Sequence, residues 1–238
     1  SGMFGGPAPD ALAALIKLLG GLRDERGNTT IAGLDATQTW RGEPYPAEQF
    51  RTDVGVLDGV ELIGDGTVSD MLWARPAVTV LGIDCPPVTG SSAAIVPRAA
   101  ARLNLRIPPG TDATKAHDAL VAQLRDGAPW GVNVDVRTEA VGSPFEASVD
   151  GPAFRAMGAA MLEAYGRPVT TLGQGGSIPL CNVLADTYPE AEIILMGVEE
   201  PLALIHAPNE SVEPSEIERL ALSLAILLRG YGTGVRGL

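Results

Sequence analysis

The spacing of hydrophobic residues predicts a mixed layer of helices and strands in the first part of the chain. Residues 10–22 and 111–125 each place aliphatic side chains on one helical stripe. Residues 77–82 form an apolar run, and residues 99–107 and 132–136 alternate between apolar and polar side chains, as half-buried strands do. This order of elements is typical of an α+β fold with helices on one face of an antiparallel sheet, and we assign the first 141 residues to it.

The pattern changes after Gly142-Ser143-Pro144, which we take as the joint between two domains. Helices are predicted at residues 150–166, 179–188 and 214–230, and short apolar strands at 169–172 and 193–198. The run at 193–198 is continuously apolar, which is typical of a strand buried on both faces. Residues 142–238 therefore correspond to half of an α/β domain, and the strands that complete its sheet are expected to come from elsewhere.

Composition and charge narrow the class of protein. Hydrophobic residues make up 45% of the 238 residues and charged residues 19%, which is typical of a globular protein rather than a disordered one. The net charge of −12 argues against nucleic acid and against anionic membrane surfaces as partners. The longest apolar stretch, residues 220–228, is far shorter than the roughly 20 residues needed to span a bilayer. Nothing resembles a signal peptide, so we predict a cytoplasmic location.

His206 is the first candidate for chemistry. It lies in the loop 204–210 after the predicted buried strand, where ligands and catalytic groups of α/β folds usually sit. A neutral imidazole there is either a zinc ligand or a hydrogen-bonded loop histidine. The other histidine, His117, is predicted to be solvent-exposed in the middle of a helix. A zinc hydrolase needs three or more ligands and a base, so one histidine and two distant cysteines leave such a site incomplete.

Two further features favour an anionic ligand. Gly175-Gly176-Ser177 opens a helix after a predicted strand, so it forms either a pocket for a phosphate or carboxylate, or only a tight turn. The segment has neither the lysine of a P-loop nor the spacing of a serine-hydrolase elbow. Arg106 lies on the polar face of an alternating strand, where it either clamps a carboxylate or shares a solvated face with Arg102.

Four segments carry a resemblance to a known family. They are SGMFGG at residues 1–6, the strand pair from 94–97 to 105–108, GGSIP at 175–179 and HAPNE at 206–210. Through them the chain resembles the C-terminal part of the M20 family of zinc aminoacyl-dipeptidases and amidohydrolases, which includes the carnosinase-like dipeptidases. The likeness extends over nearly the whole chain, but it corresponds to only about the second half of a family member.

The resemblance implies both a fold and a set of roles. It implies a ferredoxin-like α+β lid (dimerisation) domain at residues 1–141, followed by the C-terminal half of an α/β zinc-peptidase catalytic domain at 142–238. His206 is implied as one metal ligand. Four residues are implied in binding the substrate and its C-terminal carboxylate: Arg106, Gly176, Ser177 and Asn209. The implied cofactor is a pair of zinc ions or other divalent metals. The other ligands and a general-base glutamate are expected upstream of Ser1, so no catalytic residue is assigned here.

These implications lead to two main hypotheses. In the first, the chain is part of a dizinc metallopeptidase in which a metal-bound hydroxide hydrolyses a dipeptide or an N-acyl amino acid. The chain by itself is then expected to be inactive, and it is expected to form a homodimer through the lid domain. In the second, the chain is a non-catalytic dimerisation or binding module of a degenerate or truncated homologue. A third hypothesis, a phosphate-binding α/β protein, is disfavoured because no basic residue lies near the glycines.

Overall fold

The computed structural model describes residues 2–174 and 178–232, and the chain divides into two compact units. Unit 1 comprises residues 1–41, 61–144 and 173–177, and unit 2 comprises residues 42–60, 145–172 and 178–238. The chain thus passes from unit 1 to unit 2 after Pro144, and an earlier excursion also belongs to unit 2. The division into domains at residue 141 stays a prediction.

Unit 1 contains two long helices, and both begin at an aspartate. Helix α1 spans Ala11–Gly20, and the Asp10 carboxylate accepts hydrogen bonds from the N–H groups of Leu12 and Ala13. Helix α3 spans Ala113–Asp126, and it is capped by Asp112 rather than by the neighbouring threonine. In both cases the aspartate satisfies N–H groups that have no partner within the helix.

The sheet of unit 1 is an antiparallel pair that was predicted from sequence. Strand β1 spans Ala77–Asp84, strand β2 spans Ala100–Arg106, and their register places Val78 opposite Leu105. The register shifts between Val80 and Gly82. The core forms where the two helices cover this sheet, and its most buried members are Leu22, Val78 and Leu124. Partly buried side chains complete it: Leu18, Leu19, Leu103, Leu105, Leu120, Val134 and Val136.

The third predicted strand, residues 132–136, is extended but is not part of a ladder. Its side chains alternate between half-buried valines and exposed polar residues, as predicted. Within the described residues, however, β1 and β2 form the only sheet. The segment therefore has the predicted alternation of side chains but not the backbone pairing of a strand. Such pairing needs a neighbouring strand at about 4.8 Å.

Unit 2 is helical in the part that the structure describes. It contains α2 (Ala47–Asp53), α4 (Pro152–Tyr165), α5 (Pro179–Thr187) and α6 (Pro214–Gly232). Helices α4 and α6 pack on each other, with Met157 and Ala160 of α4 and Ser223 of α6 buried. Unit 1 also contains a π-helical turn at Asp70–Ala74 and a 3-10 turn at Pro129–Gly131, and unit 2 contains a 3-10 turn at Pro201–Ala203.

The prediction of a strand buried on both faces at residues 193–198 is wrong. The segment is not a strand, and Leu195 and Met196 are exposed to 52% and 38%. The segment at 169–172 is likewise not a strand. A strand is stabilised by hydrogen bonds to a neighbour, and the described part of unit 2 contains no strand that could pair with either segment. Of the predicted α/β half-domain, the described residues therefore show the helices and not the sheet.

The described residues contain no helix that is both long and apolar enough to cross a bilayer.

Candidate functional site

Arg106 is placed at the end of β2 by the sheet register. It lies opposite Ala77, and the turn that follows is fixed by a hydrogen bond from Thr111 N–H to the Pro108 carbonyl (3.2 Å). The residue is half-buried, and its side chain forms neither a hydrogen bond nor an ion pair with any of the described residues. A guanidinium has five N–H donors, so this one is available to bind a carboxylate.

Arg102 lies on the same face of β2, but its guanidinium is already paired. Its Nη2 and Nε atoms donate to Oε2 of Glu139 at 2.6 and 3.0 Å. Both side chains of this ion pair are largely exposed, at 65% and 64%. The structure therefore distinguishes two arginines that the sequence pattern left equivalent: Arg102 is neutralised by an internal carboxylate, whereas Arg106 is not.

His206 and Asn209 lie in a tightly turned loop of unit 2. Their φ angles are +64° and +68°, and Leu204 has a φ of +55°. Asparagine and histidine enter this left-handed region more readily than most residues, but a branched side chain such as leucine rarely does. Each such residue costs on the order of 1 kcal/mol, and such strain is concentrated at binding and catalytic loops.

Backbone hydrogen bonds hold the ends of this loop together. The N–H of Ser211 donates to the Ala203 carbonyl at 3.0 Å, and the N–H of Ala207 donates to the Leu204 carbonyl at 2.8 Å. Ala203 is fully buried, and the Glu200 carboxylate accepts from Leu202 N–H at 2.8 Å. The loop is therefore anchored at its base while the His206 side chain stays exposed.

The described residues do not form a metal site by themselves. Nowhere in residues 2–174 and 178–232 do three or more His, Cys, Asp or Glu side chains come together in a way that could hold a metal ion. The exposed His206 imidazole fits the role of a single ligand. Gly176 and Ser177 lie outside the described residues. Arg106 belongs to unit 1, and His206 and Asn209 belong to unit 2.

Asp70 is a buried carboxylate of unit 1 that the periodicity of the sequence does not indicate. Its two oxygens accept from Trp40 N–H at 2.6 Å and Thr67 N–H at 2.9 Å, and Thr67 Oγ1 accepts from Asp70 N–H. Burial raises the pKa of Asp70, but these backbone donors outweigh burial, and the pKa lies below its usual value. The Thr-x-x-Asp spacing is that of a capping box, and this spacing could have identified the pair.

His117 has partners on both sides of its ring. Its Nδ1 atom lies 2.9 Å from Asp118 Oδ1, and its Nε2 atom lies 2.6 Å from Thr138 Oγ1. The side chain is 31% exposed, so the prediction of a solvent-facing residue is only partly met. These contacts tie α3 to the extended segment that follows it and explain the residue without a catalytic role.

Comparison with known proteins assigns the family. Residues 1–132 match the model of the M20 peptidase dimerisation domain. The chain therefore belongs to the M20 peptidase family. It is also 45% identical, over 235 residues, to the cysteinylglycine-S-conjugate dipeptidase of Corynebacterium striatum. That match includes 98% of this chain but only 52% of the relative, so the chain spans about half the length of the curated relative.

Solved structures agree on the fold. A dipeptidase from Saccharomyces cerevisiae matches with a TM-score of 0.75 at 21% identity, over 97% of this chain and 50% of that protein. Human carnosine dipeptidase 1 matches with a TM-score of 0.71 at 19% identity, over 96% and 50% of the two chains. An M20 metallo-carboxypeptidase from Sulfolobus solfataricus matches with a TM-score of 0.73 at 20% identity, over 92% and 52%. The relatives are peptidases, and the family resemblance expected from the four sequence segments is confirmed.

Proposed function

We propose that the chain is the dimerisation domain and the C-terminal part of the catalytic domain of a metal-dependent dipeptidase. Its substrates would be dipeptides with a free C-terminal carboxylate, such as cysteinylglycine or its S-conjugates. The observation that carries the proposal is Arg106, a half-buried residue whose guanidinium has no acidic partner among the described residues, in a chain 45% identical to a dipeptidase.

Arg106 binds the substrate carboxylate in this proposal. It is fixed at the end of a strand whose other face is packed into the core, so its backbone position is rigid. A guanidinium that is half-buried loses less to solvent screening than an exposed one and can donate two parallel hydrogen bonds to a carboxylate. Loss of that interaction is expected to cost about 2 kcal/mol, or roughly thirtyfold in affinity. The backbone of Gly176, the Ser177 hydroxyl and the Asn209 side chain are proposed to assist.

His206 provides one ligand to the divalent metal, zinc in this proposal. The strained and anchored loop presents the imidazole to the outside of unit 2, where groups from another part of a longer polypeptide can complete the coordination. A metal bound there supplies Lewis-acid activation of water and of the scissile carbonyl. The other ligands and the general base are proposed to lie in the part of the M20 polypeptide that this chain does not span.

Homodimerisation is proposed to use the free edge of β1. At Val78 this edge is covered by side chains, because Val78 N–H donates to Thr29 Oγ1 at 3.0 Å and Arg23 Nη2 donates to the Val78 carbonyl at 2.5 Å. Further along, Leu81 and Ile83 are about half exposed, at 54% and 47%. Beyond Val78, no described side chain is hydrogen-bonded to the backbone of β1, and an apolar strand edge of this kind is suited to pair with the same edge of a second copy.

The experiment combines the chain with the part of the Corynebacterium striatum dipeptidase that it does not match, and measures zinc-dependent hydrolysis of cysteinylglycine. Arg106→Gln is expected to lower kcat/KM by about thirtyfold for this dipeptide and much less for its C-terminal amide. Arg102→Gln is the matched control and is expected to change neither value by more than about twofold, because its pair is exposed. His206→Gln is expected to lower the zinc content of the complex.

Two results would contradict the proposal. A complex that binds zinc but does not hydrolyse dipeptides would favour the non-catalytic dimerisation module. An active complex in which Arg106→Gln affects the dipeptide and its amide equally would remove the assigned role of that residue while leaving the peptidase assignment in place.

A further inference from the structure

Trp40 and Trp73 of unit 1 form an aromatic pair. Their ring centroids lie 5.0 Å apart, their planes are tilted by 59°, and both residues are half-buried. Tilted rings at this distance attract each other beyond the area that they bury. Trp73 lies in the π-helical turn at Asp70–Ala74, whose first and last residues are buried. The ring of Trp40 therefore contacts the Trp73 indole, and the buried turn holds the Trp73 backbone.

Two hydrogen bonds fasten residues 38–40 to this turn. The N–H of Trp40 donates to the Asp70 carboxylate at 2.6 Å, and Nε of Arg75 donates to the Gln38 carbonyl at 2.8 Å. One bond lies at the first residue of the turn and the other directly after its last residue. The position of the tryptophan pair is therefore set by hydrogen bonds on both sides of Trp73 as well as by contact between the rings.

The main chain at Gly173 lies against the Trp73 indole. A Cβ added at Gly173 would lie 2.3 Å from Cγ and 2.4 Å from Cδ1 of Trp73. The φ angle of Gly173 is not in the left-handed region, so its backbone conformation would accept another residue. Glycine is needed here because any side chain would occupy the space of the indole.

This contact joins a short stretch of chain to unit 1. Gly173 and Gln174 belong to unit 1, whereas the segments before and after, residues 145–172 and 178–238, belong to unit 2. Three and four residues after Gly173 come Gly176 and Ser177, which the proposed function assigns to the substrate carboxylate. The point at which Trp73 holds Gly173 therefore determines where this carboxylate-binding segment begins.

The same turn is also tied to Arg106. It leads into β1, and Ala77, the first residue of β1, lies opposite Arg106 in the register of the sheet. Trp73 precedes Ala77 by four residues. The indole that contacts Gly173 and the guanidinium proposed to bind the substrate are thus both positioned by the start of β1.

We propose that Trp73 is a positioning residue for the substrate carboxylate. By holding Gly173, it directs the segment that contains Gly176 and Ser177 towards Arg106, so that one carboxylate is bound from both sides. The inference rests on the proposed dipeptidase function. An interaction shared between two groups depends on their spacing, and a misplacement of about 1 Å is enough to weaken it strongly.

Steady-state hydrolysis tests this role in the complex of the chain with the unmatched part of the Corynebacterium striatum dipeptidase. The two substrates are cysteinylglycine and its C-terminal amide, which lacks the carboxylate. Trp73→Ala is expected to raise KM for cysteinylglycine about tenfold and to leave kcat within about twofold, because the carboxylate is bound equally in the ground state and the transition state. KM for the amide is expected to change by less than about twofold. Gly173→Ala is expected to act in the same direction, since the added methyl group displaces the chain from the indole.

Two further variants separate positioning from stability. Trp73→Phe keeps Cβ, Cγ and Cδ1, the atoms that lie nearest Gly173, and is expected to stay within about threefold of the wild type for both substrates. Trp130→Ala is the matched control, because Trp130 belongs to the same unit but is 61% exposed in a different turn. It is expected to leave both substrates unchanged. A loss of folded protein would lower kcat for both substrates and would leave their KM values unchanged.

Each other result overturns the inference. Equal effects of Trp73→Ala on the dipeptide and its amide, or no effect on either, exclude positioning of the carboxylate site. If Trp73→Ala does not form the complex, Gly173→Ala decides the matter, and it must still raise KM more for the dipeptide than for the amide. A wild-type complex that hydrolyses neither substrate overturns the proposed dipeptidase function and the inference with it. An active wild-type complex whose variants show no preference between the two substrates overturns the inference alone.

Discussion

Helix α4 begins at a side-chain cap that comes from a distant part of the chain. Its first N–H groups are bound by the carboxylate of Glu192, whose two oxygens accept from Ala153 and Phe154 at 2.8 Å each. The residue before the helix is Gly151, and a Cβ added there would lie 2.0 Å from the Glu192 carboxyl carbon. The backbone at Gly151 has a φ of −78°, which alanine adopts without strain. Gly151→Ala therefore acts by displacing the Glu192 carboxylate.

The magnitude follows from the two hydrogen bonds. A side-chain cap contributes about 0.5–2 kcal/mol, and here a carboxylate satisfies two donors at the positive end of the helix, so Glu192→Ala is expected to cost about 2 kcal/mol. Gly151→Ala is expected to lose a similar amount of stability. Alanine also restricts the unfolded chain, however, and this offsets about 0.4–1 kcal/mol of the loss. Its net cost in the wild type is therefore about 1–1.5 kcal/mol. In the Glu192→Ala background the displaced group is gone, and Gly151→Ala is expected to stabilise the protein by about 0.5 kcal/mol.

The assay is a double-mutant cycle of urea unfolding, followed by circular dichroism and backed by hydrogen exchange of the α4 amides. The expected result is a change of sign: the glycine substitution destabilises one background and stabilises the other. Additive costs for Gly151→Ala and Glu192→Ala would refute the argument, because they would mean that the added methyl group and the carboxylate do not compete for the same space.

Three further predictions concern single residues. Burial, together with the hydrogen bond and charge of Asp53, raises the pKa of Tyr45 to about 12. The free energy of unfolding should therefore decrease as the pH rises from about 10 towards 12. Asp53→Asn should lower the pKa of the Tyr45 phenol, measured by its absorbance. The pKa of Asp70 is lowered in the folded protein, so its contribution to stability is fully present above about pH 4 and is lost as the pH falls through the folded pKa. Acid unfolding of Asp70→Asn should therefore depend less on pH than acid unfolding of the wild type. Gly166 ends α4 with a φ of +69°, so Gly166→Ala should cost about 1 kcal/mol in urea unfolding, and a neutral effect would contradict the strain argument.

The local elements were largely predictable. The helices at α1, α3, α4 and α6, the strands β1 and β2, and Gly166 as the end of α4 all follow from side-chain periodicity and from capping residues. The helical spacing of Ile217, Leu220, Leu224 and Leu227 predicts that these residues of α6 face inward. This prediction is only partly right, because Ile217 and Leu224 are exposed at 50% and 41%, whereas Ser223 is fully buried. Periodicity identifies a helix and its approximate face, but the partner helix decides which row of side chains it covers.

The sequence predicts which residue types the candidate site contains, but it does not predict which side chains contact them. Arg102 and Arg106 are equivalent in an alternating strand, and only the fold brings Glu139 to one of them. Similarly, the cap of α4 comes from Glu192, which is far away in sequence and which no local pattern would connect to Gly151. Contacts between distant segments depend on how the helices and strands pack, so the pattern of residues along the chain does not show them.

The sequence by itself determined the helices, the two strand-forming segments of unit 1 and the membership of a peptidase family, because each of these depends on side chains that are close together along the chain or on short motifs. Only the tertiary structure decided which alternating segments are paired. Residues 132–136 and 193–198 both have strand-like compositions, but within the described residues neither has a neighbour to bond with. A strand is a property of two segments, since its backbone donors and acceptors are satisfied by another stretch of polypeptide. The apolar pattern of one segment determines which of its faces is buried, but the rest of the fold determines which segment it pairs with.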